Sequence, residues 1–197
     1  MLRHLLGFTI CAFFFASLLF LSAVGAYPAV PDFHLRDSQG AVHTPAEWTA
    51  HKAVLLFFVT TDCPVANSYV PEMNRIHDAY AGRGVQVYAV QADTTAPDAA
   101  VARYAKDYQY GFPLLIDPRQ VLVQLTGATV TPQAVVLSID GKVLYKGRID
   151  NRVEDFGKQR FEPTERDVRE ALDAVLAGKP VPHPLTKSIG CAINRVP

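Results

Sequence analysis

Two residues in this sequence have the chemistry of a redox pair, Cys63 and Cys191. A third cysteine, Cys11, lies inside an apolar N-terminal run and is read as part of that run. Cys63 stands between a continuous apolar segment, AVLLFFV, and a helical pattern that opens with Pro64. A proline at the first helical position loses nothing by lacking an N–H. The free backbone N–H groups and the dipole at a helix start stabilise an anion. A thiol placed there has a lowered pKa, and the thiolate is the nucleophile. Asp62 pushes the other way, and a buried, inert cysteine is the bland alternative. Cys191 follows 128 positions later, on a tail that carries Pro180, Pro182 and Pro184. A tail thiol can attack a mixed disulfide or a sulfenic acid on Cys63. It can equally form a permanent staple or stay unpaired.

The compartment decides what two cysteines can be. Residues 1–26 carry Arg3 and His4, then an uncharged apolar stretch over 5–24, with Val24 and Ala26 as the small residues of a cleavage site. This is the pattern of a signal peptide, so the protein is expected to be periplasmic or secreted. The apolar run is also long enough to span a bilayer, and an uncleaved anchor is the one membrane attachment the sequence offers. Exported proteins live where disulfides form and persist. Arg3 is the only Lys or Arg before Tyr27 and no acidic residue precedes it, which leaves 18 basic against 19 acidic residues in the mature chain, a net charge of −1. That balance excludes an electrostatic case for nucleic acid. With 49 % hydrophobic and 19 % charged residues, the chain is globular and long enough for one domain.

The elements that must position Cys63 follow from periodicity. A hairpin is expected over 30–42, then a short helix capped by Thr44 with Pro45 first and Glu47 in its first turn. The apolar run at 53–59 reads as a strand buried on both faces. After Cys63, the residues Ala66, Tyr69, Val70, Met73, Ile76 and Tyr80 recur at helical spacing. A strand at 85–91, a helix at 99–108, a strand at 112–116 and a short helix at 120–125 come next. Two strands, 133–139 and 142–149, flank Asp140-Gly141, a strong two-residue hairpin signal. The stretch GRIDNRVEDFGKQRFEPT reads as a long polar loop, and 164–177 as an amphipathic helix capped by Thr164. The proline-rich residues 179–197 are expected to lie extended over the domain. Helical crossovers early and a hairpin late imply an α/β fold, a mixed central sheet flanked by helices on both faces.

These motifs resemble the redoxin branch of the thioredoxin-like superfamily over about residues 30–177. VPDFHLRDSQG resembles the redoxin start, LLFFVTTDCPVANSYVPEM the active-site strand, loop and helix, and VTPQAVVLSIDGKV the later strand motif. The resemblance implies a thioredoxin-like fold divided into a signal segment 1–26, a redoxin domain 27–178 and a tail 179–197. It also implies a cis Thr131-Pro132 bond that turns the Thr131 backbone toward Cys63, so that Thr131, Pro132 and Pro64 would contact an incoming peptide. No cofactor is implied.

Departures from the family pattern narrow the reaction. Thioredoxins carry C-x-x-C, whereas here Ala66 occupies the second cysteine position, so Cys191 is the remaining resolving candidate. Peroxiredoxins place a Thr three residues before their reactive Cys, matched by Thr60, and a Pro four residues before that Thr, where Leu56 stands. Their Arg ahead of the later strand is replaced by Val130-Thr131-Pro132, with Arg148 or Arg152 as conceivable spatial substitutes. Peroxide activation needs donors on the leaving oxygen, so the expectation is a thiol–disulfide oxidoreductase with Cys63 as nucleophile. Its partners would be protein thiols or disulfides and an external thiol reductant. A thiol peroxidase acting on peroxide with Thr60 is the first alternative. The second is a non-enzymatic binding module, either a copper carrier with the metal held by Cys63, Cys191 and a histidine, or a partner-docking module with a stapled tail. His34, His43, His51, His77 and His183 show no H-x-x-x-H or H-x-x-H spacing.

Overall fold

A computed structural model describes residues 30–196. The expected signal segment lies outside the described residues. The chain runs through β1 (Leu35–Arg36), β2 (Val42–His43), a 3-10 helix (Pro45–Ala50), β3 (Ala53–Val59), α1 (Pro64–Tyr80), β4 (Val85–Gln91), α2 (Asp98–Asp107), β5 (Leu114–Ile116) and α3 (Val121–Thr126). It continues through β6 (Val130–Thr131), β7 (Gln133–Leu137), β8 (Val143–Gly147), β9 (Val153–Asp155), β10 (Lys158–Gln159), α4 (Asp167–Leu176) and β11 (Cys191–Ala192).

The central sheet has the order β5-β4-β3-β7-β8. The β3–β4 and β4–β5 pairs are parallel, and β3–β7 and β7–β8 are antiparallel. All seven residues of β3 are buried, as an apolar run in the middle of a doubly covered sheet requires. Their alternation splits the core in two. Leu55, Phe57 and Val59 face a layer built from α1, α2 and α4, with Met73, Val101 and Leu172 inward. Val54, Leu56 and Phe58 face Trp48 of the 3-10 helix, Phe33, and Leu122 and Val123 of α3. The mixed sheet with helices on both faces is therefore as expected.

Helix α1 buries Ala66, Tyr69, Val70, Met73, Ile76 and Tyr80 against the sheet. A fully buried large apolar side chain contributes about 1.5–3 kcal/mol, so these contacts fix the rotation of α1 and, with it, the place of Cys63 at its cap. Thr44 is the cap of the 3-10 helix as expected, and its N–H donates to Glu47 Oε1 at 3.3 Å.

Two sequence expectations are corrected. The run after β8 is not a plain loop, because β9 and β10 pair in it as an antiparallel hairpin. Helix α4 begins at Asp167 with Arg166 at its cap, not at Thr164. Asn151 explains the shift: its Nδ2 donates to Thr164 Oγ1 at 2.7 Å, and its Oδ1 accepts the Thr164 and Glu165 N–H groups at 2.8 and 3.1 Å. Those backbone groups are thereby engaged outside the helix. Among the described residues, no helix is long and apolar enough to cross a membrane.

Candidate active site

Cys63 is the cap residue of the 17-residue helix α1, directly after the end of β3 and the Thr60–Asp62 turn. Its N–H donates to Thr60 O at 3.3 Å, and its own carbonyl accepts the Asn67 N–H at 3.0 Å. Asn67 ties the turn from the helix side, donating to Thr61 O at 3.4 Å and accepting from Tyr104 Oη at 2.8 Å. Asn67 thus ties the local Thr61 carbonyl to the Tyr104 hydroxyl. Pro64 is the exposed first residue of α1.

The cis Thr131-Pro132 bond is present. It brings the Thr131 carbonyl to 3.0 Å from Cys63 Sγ, which donates to it as a thiol. The edge that the sequence assigned to an incoming peptide is filled by the chain itself. Strand β11 pairs antiparallel with β6, placing Cys191 opposite Thr131 and Ala192 opposite Val130. Beyond it, Ile193 N donates to Thr129 O at 2.9 Å. Gln120 clamps the end of the tail, its Nε2 donating to Asn194 O at 2.7 Å and its Oε1 accepting the Val196 N–H at 3.0 Å. The tail is docked as a strap by the β6–β11 pairing and the Gln120 clamp.

Gly190 makes that approach feasible. A Cβ at this position would lie 2.0 Å from Thr131 O and 2.7 Å from Thr131 C. Neither Gly190 nor Gln120 was legible as part of the site, since one acts through a missing atom and the other through backbone carbonyls distant in sequence. The adjacency of Gly190 to Cys191 was the only available signal.

The strap sets the electrostatics of the pair. Burial alone would push the Cys63 thiol up. Hydrogen bonds from the Cys191 thiol, the Ala66 N–H, Thr131 and the Cys191 N–H outweigh it and hold Cys63 below its ordinary value. The donation from Sγ to Thr131 O exists only in the neutral thiol and offsets part of this gain. Cys191 moves the opposite way, pushed up to about 12 by burial, by its bond to Cys63 and by the charges of Cys63 and Asp62. The first proton to leave comes from Cys63, and Cys191 keeps its proton and donates to the thiolate. Both cysteines are free in this state. Access is unequal as well: Cys63 has no exposed surface, whereas Cys191 is partly exposed.

Of the other candidates, Thr60 stays at the site and the rest fall elsewhere. The Thr60 hydroxyl meets the Thr131 hydroxyl at 3.3 Å. Arg148 is engaged by Asp167, at 2.8 Å from Nε, and by Glu165. Arg152 lies 4.4 Å over the Tyr69 ring and donates to Ser68 O at 2.9 Å. Among the described residues, no hydrogen bond joins either arginine to Cys63 or Thr60. His43 is bound between Asp37 and Glu47, and His77 stacks on Phe112. Among the described residues, no three of His, Cys, Asp and Glu are grouped so as to hold a metal ion, so the copper arrangement is not assembled.

Comparisons with known proteins agree with this geometry. The AhpC/TSA family model matches residues 28–146. The thiol-disulfide oxidoreductase ResA of Geobacillus thermodenitrificans is 30 % identical over 138 residues, covering 70 % of this chain and 76 % of that protein. A hypothetical protein of Sinorhizobium meliloti, SMc02350, has a solved structure with TM-score 0.73 and 32 % identity, covering 85 % of this chain and 93 % of that one. The solved structure of a Chlorobium tepidum protein assigned as thiol:disulfide interchange protein DsbE has TM-score 0.58 at 23 % identity, covering 75 % of this chain and 95 % of that one. That last likeness is one of fold.

Proposed function

The chain belongs to the AhpC/TSA family, and on that premise we propose that it is a thiol–disulfide oxidoreductase in which Cys63 is the nucleophile and Cys191 resolves. The observation that carries this reading is the strap: β11 sets Cys191 opposite Thr131, whose carbonyl lies 3.0 Å from the Cys63 sulfur. ResA, the named relative, is a thiol-disulfide oxidoreductase. Disulfide exchange, not peroxide reduction, is the activity: the two arginines that would stand in at a peroxidase centre are tied to Asp167, Glu165, Tyr69 and Ser68.

In the reduced protein the Cys63 thiolate attacks one sulfur of a substrate disulfide. A mixed disulfide forms on Cys63 and the other substrate sulfur leaves as a thiolate. Cys191 then gives up its proton and attacks Cys63, releasing the second substrate thiol and closing a Cys63–Cys191 disulfide. Two electrons pass from the protein to the substrate. The burial of Cys63 requires that β11 lift from β6 before a protein substrate reaches it. The vacated Thr131 edge, with Pro132 and Pro64 beside it, then receives the substrate backbone. The signal-peptide pattern at residues 1–26 supports work outside the cytoplasm, where protein disulfides are available.

The test is reduction of insulin disulfides with dithiothreitol as electron source. Cys63→Ser is expected to abolish the catalysed rate. Cys191→Ser is expected to accumulate a mixed disulfide with an insulin chain on residue 63. Retained turnover in Cys63→Ser, or consumption of hydrogen peroxide far faster than by a free thiolate, overturns the assignment.

A further inference from the structure

Once the disulfide of the proposed reaction has formed, something must reduce it, and the two sulfurs offer very different targets. Cys63 has no exposed surface beneath the strap. Cys191 is partly exposed and lines a cleft of about 270 Å³, with Thr60, Asp62, Asp93, Thr94, Thr95 and Asn194 among its walls. The cleft is a built feature. Gln120 Nε2 donates to Ala92 O at 2.9 Å and to Asn194 O at 2.7 Å, two residues that both line it, and so ties one wall to the other. In the wall that continues from Ala92, the Asp93 carboxylate accepts the Thr95 N–H and hydroxyl, each at 2.8 Å.

We propose that this cleft is where an external thiol reduces the Cys63–Cys191 disulfide, that the attack falls on Cys191, and that a small neutral or cationic thiol is taken in preference to an anionic one. The inference rests on the disulfide-exchange reading above. It follows from access and from the leaving group together. Exchange proceeds faster when the sulfur expelled is the more stable thiolate. Attack on Cys191 expels Cys63, which receives the Ala66 and Cys191 N–H groups at the start of α1. Attack on Cys63 would expel Cys191 beside Asp62. The charge preference follows from Asp62 and Asp93 in the cleft walls.

The steps balance. The external thiolate bonds to the Cys191 sulfur, the bond between the two protein sulfurs breaks, and its electron pair leaves on Cys63. A second external thiolate attacks the external sulfur of the mixed disulfide. It releases a small-molecule disulfide and a Cys191 thiolate, which takes up a proton. Two external thiols are oxidised and both protein cysteines are reduced. The two halves of the cycle thereby use different sulfurs: protein substrates meet Cys63 after the strap lifts, and small thiols meet Cys191 while it stays closed.

The experiment uses the oxidised full chain. Limiting cysteamine is added with iodoacetamide present to capture the freed thiol, and peptides are mapped without reduction. The expected product carries cysteamine on Cys191 and the alkyl label on Cys63. In parallel, rates with cysteamine, 2-mercaptoethanol and 3-mercaptopropionate are measured at equal thiolate concentration. The same three thiols are run against hydroxyethyl disulfide, an uncharged small molecule that shows their intrinsic reactivity. The ratio of the cysteamine rate to the mercaptopropionate rate is expected to be about tenfold larger on the protein than on hydroxyethyl disulfide at low salt, and to shrink as salt is added. Asp62→Asn and Asp93→Asn together are expected to remove most of that excess. Cysteamine found on Cys63, or the same rate ratio on the protein as on hydroxyethyl disulfide, overturns the proposal while the exchange reading stands. An oxidised protein that lacks the Cys63–Cys191 bond overturns both.

Discussion

Replacing Gly190 by alanine tests whether the strap makes the redox pair. The added Cβ would lie 2.0 Å from Thr131 O, 2.7 Å from Thr131 C and 3.1 Å from Pro132 Cδ. Two of these are backbone atoms of the site itself, so no rotamer change relieves the clash. Strand β11 must move away from β6. Overpacking of this kind costs about 1–3 kcal/mol. The docked tail is held by the Ile193 N–H bond, the Gln120 clamp and the buried Ile193 side chain, so it shifts outward before the domain unfolds. At about 1.36 kcal/mol per decade, the equilibrium constant for closing the Cys63–Cys191 disulfide falls by about 5- to 150-fold. The assay equilibrates the protein in dithiothreitol redox buffers and counts alkylated thiols by mass. Gly82→Ala is the control, because a Cβ there meets nothing within 4 Å. A Gly190→Ala protein with the wild-type equilibrium constant and an intact thermal transition would refute the claim that docking presents Cys191 to Cys63.

Other consequences follow from the same contacts. Cys191→Ala removes the strongest of the hydrogen bonds that lower Cys63, so the pH midpoint of iodoacetamide alkylation at Cys63 rises; an unchanged or lower midpoint contradicts the assignment. Gln120→Ala loses bonds to Ala92 O, Asn194 O and Val196 N, at about 0.5–1.5 kcal/mol each, and hydrogen exchange at the Ile193 amide accelerates. Burial alone would make His43 neutral and Asp37 and Glu47 harder to ionise. Hydrogen bonds win: those with Glu47 and Asp37 raise His43 above 6.5, those from His43 and the Gln39 and Ala41 N–H groups lower Asp37 below 3.8, and those from Tyr88 and His43 lower Glu47 below 4.5. The histidine contribution is complete below 6.5 and is lost as pH rises through its raised value. The carboxylate contributions are complete above their ordinary values and are lost as pH falls through the lowered ones. His43→Asn therefore costs most between those limits, about 1–2 kcal/mol at pH about 5.5 after allowing for the exposure of Glu47. Urea titrations across pH check this, and a penalty that grows toward alkaline pH contradicts it.

Much of the frame was legible because it rests on local pattern. The run Ala53–Val59 is apolar at every position and is buried on both faces, as a central strand must be. The buried face of α1 is the one its spacing marks. Asp140-Gly141 does turn between β7 and β8, with Gly141 at φ +86°. The missed elements depend on distant partners. The β9–β10 hairpin exposes Phe156, Lys158 and Gln159, so no alternation betrays it. The start of α4 is set by Asn151. At the candidate site, the cis Thr131-Pro132 bond and the approach of Thr131 to Cys63 were readable, since each residue sits on a motif. The closure of the tail over them was not, because it depends on a hydrogen in place of a side chain at Gly190 and on Gln120, which bonds to Asn194, a residue 74 positions away.

The central claim is that Cys63 and Cys191 form one exchangeable pair. The most direct measurement oxidises the reduced protein with a small disulfide and maps its peptides without reduction. The account predicts a single intramolecular Cys63–Cys191 bond that dithiothreitol reopens reversibly. Two thiols that both remain open to alkylation after oxidation, or a bond from Cys63 to a second copy of the chain, would contradict it.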